Sequence, residues 1–270
     1  MTTANTAMIE ARNVSVSLGG RKIIVDAALQ APAGKVTAIV GPNGSGKTTF
    51  MRALCGDVAI EGTVAINGHD LAFLKPWQVA SMRAVLPQAT NLSFPYTVRE
   101  IVRLGLLNGR SGARSNEVAR LPEQALERVD LEGFAGRFYQ ELSGGEQQRV
   151  QLARVLCQVW EPVLDGVPRY LLLDEPVSSL DIRHQLVIMR IARDFAAAGG
   201  GVIAVLHDLN LTAMFADQVT VVRQGQVAAW GTPSKVLRDD LINTVFGCAL
   251  RVGAVPPEGI PFVLPQSADS

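Results

Sequence analysis

Lys35-Val-Thr-Ala-Ile-Val40 runs without a break into Gly41-Pro-Asn-Gly-Ser-Gly-Lys-Thr48 and then Thr49-Phe-Met-Arg-Ala-Leu-Cys-Gly56, and the rest of the chain is read outward from this stretch. A short apolar run, a glycine-rich turn and a helical segment closed by Gly56 predict strand, loop and helix in that order. The turn matches GxxxxGK[ST], a pattern whose glycines let the backbone curl until successive N–H groups face a phosphate. The predicted nucleotide-binding set is therefore Gly41, Pro42, Asn43, Gly44, Ser45, Gly46, Lys47, Thr48 and Thr49. Lys47 reaches the β and γ oxygens, and Thr48 offers a hydroxyl to Mg²⁺.

Upstream, Ile9 to Leu18 alternates, with Val14, Val16 and Leu18 on one parity, and Gly19-Gly20 turns the chain into Ile23 to Leu29, predicting a β hairpin. Downstream, residues 62–68 and 85–88 read as brief strands. From Ala89 to about Pro168 helical patterns at 97–105 and 123–130 replace the strands, so a helical subdomain is predicted inside the sheet domain. Asn108 to Asn116 is small, polar and basic, and reads as a mobile surface loop. Strands return at Tyr170 to Leu173 and Gly201 to Leu206 around a helix through Gln185 to Ala197, the rhythm of a parallel sheet. Val219 to Arg223 and Gln226 to Trp230 form a further hairpin, and the proline-bearing last dozen residues are expected to fray. The fold class is α/β: a mixed sheet core with an N-terminal antiparallel β subdomain, one domain over 8–250 with a helical insertion at 89–168, and a tail at 251–270.

Composition narrows the function. With 270 residues, 48% hydrophobic and 19% charged, the chain is globular. Lys plus Arg and Asp plus Glu both number 25, leaving no net charge to draw the chain to nucleic acid. The three cysteines, Cys55, Cys157 and Cys248, lack ligand spacing and read as reduced thiols. The first residues lack a secretory pattern, and no apolar run approaches the roughly 18 residues of a membrane span, so membrane association is expected through a partner.

Tyr170-Leu-Leu-Leu-Asp-Glu-Pro176 ends an apolar strand in two carboxylates. Asp174 is placed to hold Mg²⁺, and Glu175, one residue on, to polarise an attacking water and accept its proton. Leu142-Ser-Gly-Gly-Glu146 precedes a helix in which Leu152, Val155, Leu156 and Val159 share a face. Ser143 caps that helix, and the amides of Gly144 and Gly145 sit at its positive end, where anionic oxygens bind.

The phosphate loop, Leu142 to Glu146, Leu171 to Glu175, Ser178-Ser-Leu-Asp181 and His207, in that order, resemble the nucleotide-binding subunit of an ABC transporter across about residues 8–250. The resemblance implies a P-loop NTPase of ABC type and a head-to-tail homodimer, in which ATP on one chain's phosphate loop is covered by Ser143, Gly144 and Gly145 of the other. It places Asp181 along the seam and Gln88 at the lobe hinge, where it senses Mg²⁺ and water, and sets His207 against the γ-phosphate. Glu175 and His207 are then catalytic, and Thr48, Gln88 and Asp174 are the metal set. The implied activity is ATP hydrolysis coupled to transport, peripheral to the cytoplasmic face of a bacterial inner membrane. The implied partners are two transmembrane permease subunits and, indirectly, a periplasmic substrate-binding protein, with no nucleic acid.

Within that family, residues 91–105 and 207–217 resemble the importers for iron chelates, haem and vitamin B12. The long stretch at 160–170 resembles haem-importer subunits, so haem is the favoured cargo, ahead of a ferric siderophore and B12. A soluble ATPase clamp is the alternative of a different class, disfavoured by a single head without heptads. Relatives often carry an aromatic residue where this chain has Leu18, which offers an apolar face without stacking and weakens base selection more than phosphate binding. Val177 stands where relatives commonly have threonine. His69, His184 and Cys157 read as structural rather than haem ligands, and Trp77 and Trp160 as packing or coupling-groove residues.

Overall fold

The structure is a computed structural model that describes residues 7–88, 94–107, 110–257 and 259–267. Its first third comprises β1 (Met8–Leu18), β2 (Arg21–Pro32), β3 (Val36–Val40), α1 (Lys47–Cys55), β4 (Glu61–Ile66), β5 (His69–Asp70), α2 (Pro76–Met82) and β6 (Arg83–Leu86). The helices α3 (Val98–Leu107), α4 (Leu121–Arg128) and α5 (Gly144–Gln158) come after it, with a small hairpin of β7 (Val163–Leu164) and β8 (Val167–Pro168). Next come β9 (Tyr170–Asp174), α6 (Ile182–Ala197), β10 (Gly201–Val205), α7 (Leu209–Phe215), β11 (Gln218–Arg223) and β12 (Gln226–Gly231). Two helices, α8 (Pro233–Val236) and α9 (Asp239–Phe246), precede the tail.

Two sheets enclose α1. One is antiparallel, in the order β2-β1-β4-β5; the other runs β12-β11-β3-β10-β9-β6, parallel except for β12 at its edge. Side chains alternate across the second sheet with the period of two that a pleated strand imposes. Val36, Ala38, Val40, Leu171, Leu173, Val202 and Ala204 face one core, shared with residues of α3 to α6. Ile39, Tyr170, Leu172, Ile203 and Val205 face the other, where Phe50, Met51 and Leu54 of α1 pack with Ile9, Val14 and Val16 of the antiparallel sheet.

Register then sets the position of the site. Val205 pairs with both Ile39 and Asp174, and Leu173 pairs with Leu86. The carboxyl ends of β3, β9, β10 and β6 are therefore level, and the loops leaving those strands emerge on one rim, where open α/β sheets bind ligands.

Several boundaries differ from the sequence reading. The strand expected at 85–88 is Arg83–Leu86, which leaves Gln88 beyond its end. The helix expected from Gln185 begins at Ile182, because the Asp181 carboxylate caps it by accepting from the His184 N–H at 2.9 Å. The helical run expected as far as Pro168 stops at Gln158 and gives way to the β7–β8 hairpin. Of the loop expected at 108–116, residues 108–109 lie outside the described residues, as do 89–93 of the stretch before α3. Residues 110–112 are not free: Arg169, 2% exposed, donates to the carbonyls of Arg110, Ser111 and Glu161. In the tail, Gln266 hydrogen-bonds Asn210 O at 3.3 Å. Among the described residues no helix is long and apolar enough to cross a membrane.

Candidate functional site

The phosphate loop owes its shape to glycines. Gly41 lies so close to β11 that a Cβ there would meet the Val222 carbonyl oxygen at 2.1 Å. Gly46, at φ +105°, caps α1 without a side chain, and its Cβ would meet Ile24 Cδ1 at 2.7 Å. With no side chain bonded across its first turn, α1 presents bare N–H groups and the positive end of its dipole to the rim. Lys47 is buried and donates from Nζ to the carbonyls of Gly41 at 3.0 Å and Pro42 at 3.1 Å. Burial holds its ammonium below the usual lysine range, against the pull of Glu175 and Asp174.

Lys47, Thr48, Gln88, Glu175 and His207 line one open cleft of about 730 Å³. Thr48 Oγ1 donates to Asp174 Oδ1 at 3.4 Å. Asp174 is buried, and its pKa is pushed up to about 6, chiefly by that burial and next by the neighbouring Glu175 carboxylate. A hydroxyl and a buried carboxylate in need of countercharge form an oxygen donor set that suits a small, hard divalent cation completed by water and phosphate oxygens. Glu175 has φ +53°, unusual for a residue with a Cβ. Its carbonyl is held by Gln148 Nε2 at 2.9 Å, and its carboxylate accepts from Gln88 Nε2 at 3.0 Å and from His207 Nε2 at 2.7 Å. A carboxylate gripped on both oxygens at the mouth of a phosphate cradle is positioned for proton transfer from a water attacking the outermost phosphorus.

Ser143, Gly144, Gly145 and Asp181 do not line this cleft. Ser143 and Gly144 are exposed at the start of α5, where Ser143 and Glu146 form a reciprocal cap: Ser143 N and Oγ each donate to Glu146 Oε2 at 2.7 Å. Hydrogen bonds from Ser143 hold the Glu146 carboxyl below its usual range. Asp181 is taken up by the cap of α6 and by the His184 ring.

Leu18, 41% exposed, does not line the cleft, whereas Ile23 does. The apolar neighbour that Leu18 was expected to be is therefore Ile23, on the opposite strand of the hairpin. Gln148 was not among the expected residues, and only its place six residues after Leu142, on the helix that begins after Ser143, marked it. His184 lies between carboxylates, Cys157 is buried with Sγ toward Leu121 O, and Arg128 stacks on Trp160 at 3.7 Å. Trp77 stands 66% exposed on α2. Among the described residues no group of three or more His, Cys, Asp or Glu converges as a metal centre.

Comparison with known proteins agrees with this geometry. The family model described as "ABC transporter" matches residues 24–178. The hemin import ATP-binding protein HmuV of Mesorhizobium japonicum is 67% identical over 97% of this chain and 99% of its own length. The protein of the same name from Rhizobium meliloti is 61% identical over 97% of this chain and 99% of its own. A solved "ATP binding subunit of ABC transporter" superposes with a TM-score of 0.74 at 25% identity, covering 89% of this chain and 93% of that one. With a family model matched over more than half of its length and a relative 67% identical along nearly all of it, the chain belongs to the ATP-binding subunits of the ABC transporter family.

Proposed function

We propose that this chain is the ATP-hydrolysing subunit of an importer for haemin, working as a homodimer beneath two permease subunits at the cytoplasmic face of an inner membrane, fed by a periplasmic binding protein. The observation that carries the cargo is identity of 67% along nearly the whole chain to a relative named for hemin import. The chemistry rests on the cleft.

ATP seats its β- and γ-phosphates on backbone N–H groups of the loop and of the first turn of α1, with Lys47 turning from the loop's own carbonyls to the phosphate oxygens. Thr48 and Asp174, with Gln88 reaching in from beyond β6, would hold Mg²⁺, which when bound neutralises charge on the β and γ oxygens. Glu175 accepts a proton from water as the water oxygen bonds to the γ-phosphorus and the bond to the β–γ bridging oxygen breaks, leaving ADP and phosphate. His207 and Gln88 fix the carboxylate for that transfer. Ser143 to Gly145, outside the cleft of their own chain, are free to cover the triphosphate held by a second copy. Two bound ATP molecules then join the copies, and hydrolysis lets them part, which drives the permease between its states. On the same reading the chain is one ATPase domain over 8–250, containing the subdomain at 89–168, followed by a tail at 251–270.

Reconstitution with the permease and binding protein tests the cargo. Haemin-loaded binding protein should stimulate ATP turnover severalfold over ferric siderophore or B12, and equal or greater stimulation by either of those overturns the haemin assignment.

A further inference from the structure

Adjacent residues of α5 tie it to the start of the segment between β9 and α6 and to the turn after α4. Gln148 Nε2 donates to Glu175 O at 2.9 Å. In the turn just past α4, buried Arg149 donates to the carbonyls of Val129 at 3.0 Å and Asp130 at 2.7 Å. The Asp130 carboxylate meets Arg183 at 2.8 Å and His184 Nε2 at 3.5 Å, and the other ring nitrogen of His184 lies 2.8 Å from Asp181 Oδ1. One imidazole therefore spans two carboxylates from different parts of the chain. Its side chain is 19% exposed, against 45% for Asp130 and 66% for Asp181. The ring is more shielded than either carboxylate it meets.

We infer that His184 is a positioning residue for hydrolysis: by bridging Asp181 to Asp130, and through Arg149 to α5, it makes Asp181 and the amino-terminal turn of α5 move as one body. The inference rests on the proposed function, in which Ser143 covers the nucleotide held by a second copy and Asp181 lies along the seam between the copies. His184 touches no substrate and acts only through the two carboxylates. A residue that merely partnered the α6 cap would need Asp181 but not Asp130, and that separates the two roles.

The test compares His184→Ala, Asp130→Ala, their double variant and Arg183→Ala in the full-length chain, measuring ATP turnover and hydrogen exchange. Both single variants should lower kcat about 10-fold with KM for ATP within about twofold, the double should lose no more than either single, and Arg183→Ala should keep wild-type kcat. Amides at 143–148 should exchange severalfold faster in His184→Ala and Asp130→Ala. Wild-type kcat and unchanged exchange at 143–148 in Asp130→Ala overturn the inference, as does a loss in Arg183→Ala equal to that in His184→Ala. If wild-type protein hydrolyses no ATP, the functional reading fails by itself, and exchange at 143–148 still decides whether the bridge exists.

Discussion

His207 grips Glu175 across the mouth of the cleft, Nε2 to Oε1 at 2.7 Å, while Gln88 takes the other carboxylate oxygen at 3.0 Å. The pair comes from strands that are neighbours in the sheet but far apart in sequence, and only the level ends of β9 and β10 bring them together. Glu175→Gln keeps the shape of the side chain and removes its proton-accepting capacity. Phosphate release should fall by about 100-fold or more with ATP binding retained. Steady-state release at the wild-type rate would remove Glu175 from the chemistry.

Asp174 gives the site a pH signature. Burial, and then Glu175, raise its pKa from 3.8 to about 6, so the folded chain holds this proton more tightly than the unfolded chain. The associated stability is fully present below pH 4 and is lost as pH rises through about 6, a difference on the order of 3 kcal/mol. Asp174→Asn should therefore raise the melting temperature at pH 8, leave it nearly unchanged at pH 4 and abolish hydrolysis. A melting temperature at pH 8 equal to or below that of the wild type would contradict the strained carboxylate.

The phosphate loop separates steric from chemical demands. Gly41→Ala drives a Cβ against the Val222 carbonyl and should cost about 2 kcal/mol or more along with nucleotide binding. Lys47→Ala leaves the loop backbone free of clashes yet should lose tight ATP binding. Calorimetric titration of both, with urea unfolding, checks the split, and near-native ATP affinity in Lys47→Ala would disprove its phosphate role.

Arg169 is a buried cation that, among the described residues, forms no ion pair with a carboxylate, its pKa lowered to about 10 by desolvation and its donors spent on backbone carbonyls at 110, 111 and 161. Arg169→Ala orphans the carbonyls of Arg110 and Glu161, leaves that of Ser111 with the Glu161 N–H alone, and should cost about 3 kcal/mol. Proteolytic cleavage within 110–116 should accelerate with it. Unchanged cleavage would show that other contacts hold this segment.

These residues also mark how far the sequence can be read. Lys47 is legible from the GxxxxGK[ST] pattern, and Asp174, Glu175 and His207 because each lies at or just past the end of an apolar strand, parallel strands in register bringing those ends to one rim. The start of α6 is misplaced because the sequence presents Asp181 as a seam residue and not as a cap. The Arg169 anchor is invisible, because carbonyl acceptors leave no side-chain pattern to find. Leu18 rather than Ile23 stands out in the sequence because it holds the place where relatives often carry an aromatic residue, whereas only the fold shows that Ile23 and not Leu18 lines the cleft.

The central claim is that ATP joins two copies of this chain, each lending the residues 143–145 that its own cleft lacks. Light scattering of purified Glu175→Gln answers it most directly. The predicted result is a monomer without nucleotide and a dimer with saturating ATP and Mg²⁺, returned to monomer when Ser143→Arg is added to the same chain. A Glu175→Gln protein that binds ATP yet stays monomeric, alone and with its permease, would contradict it.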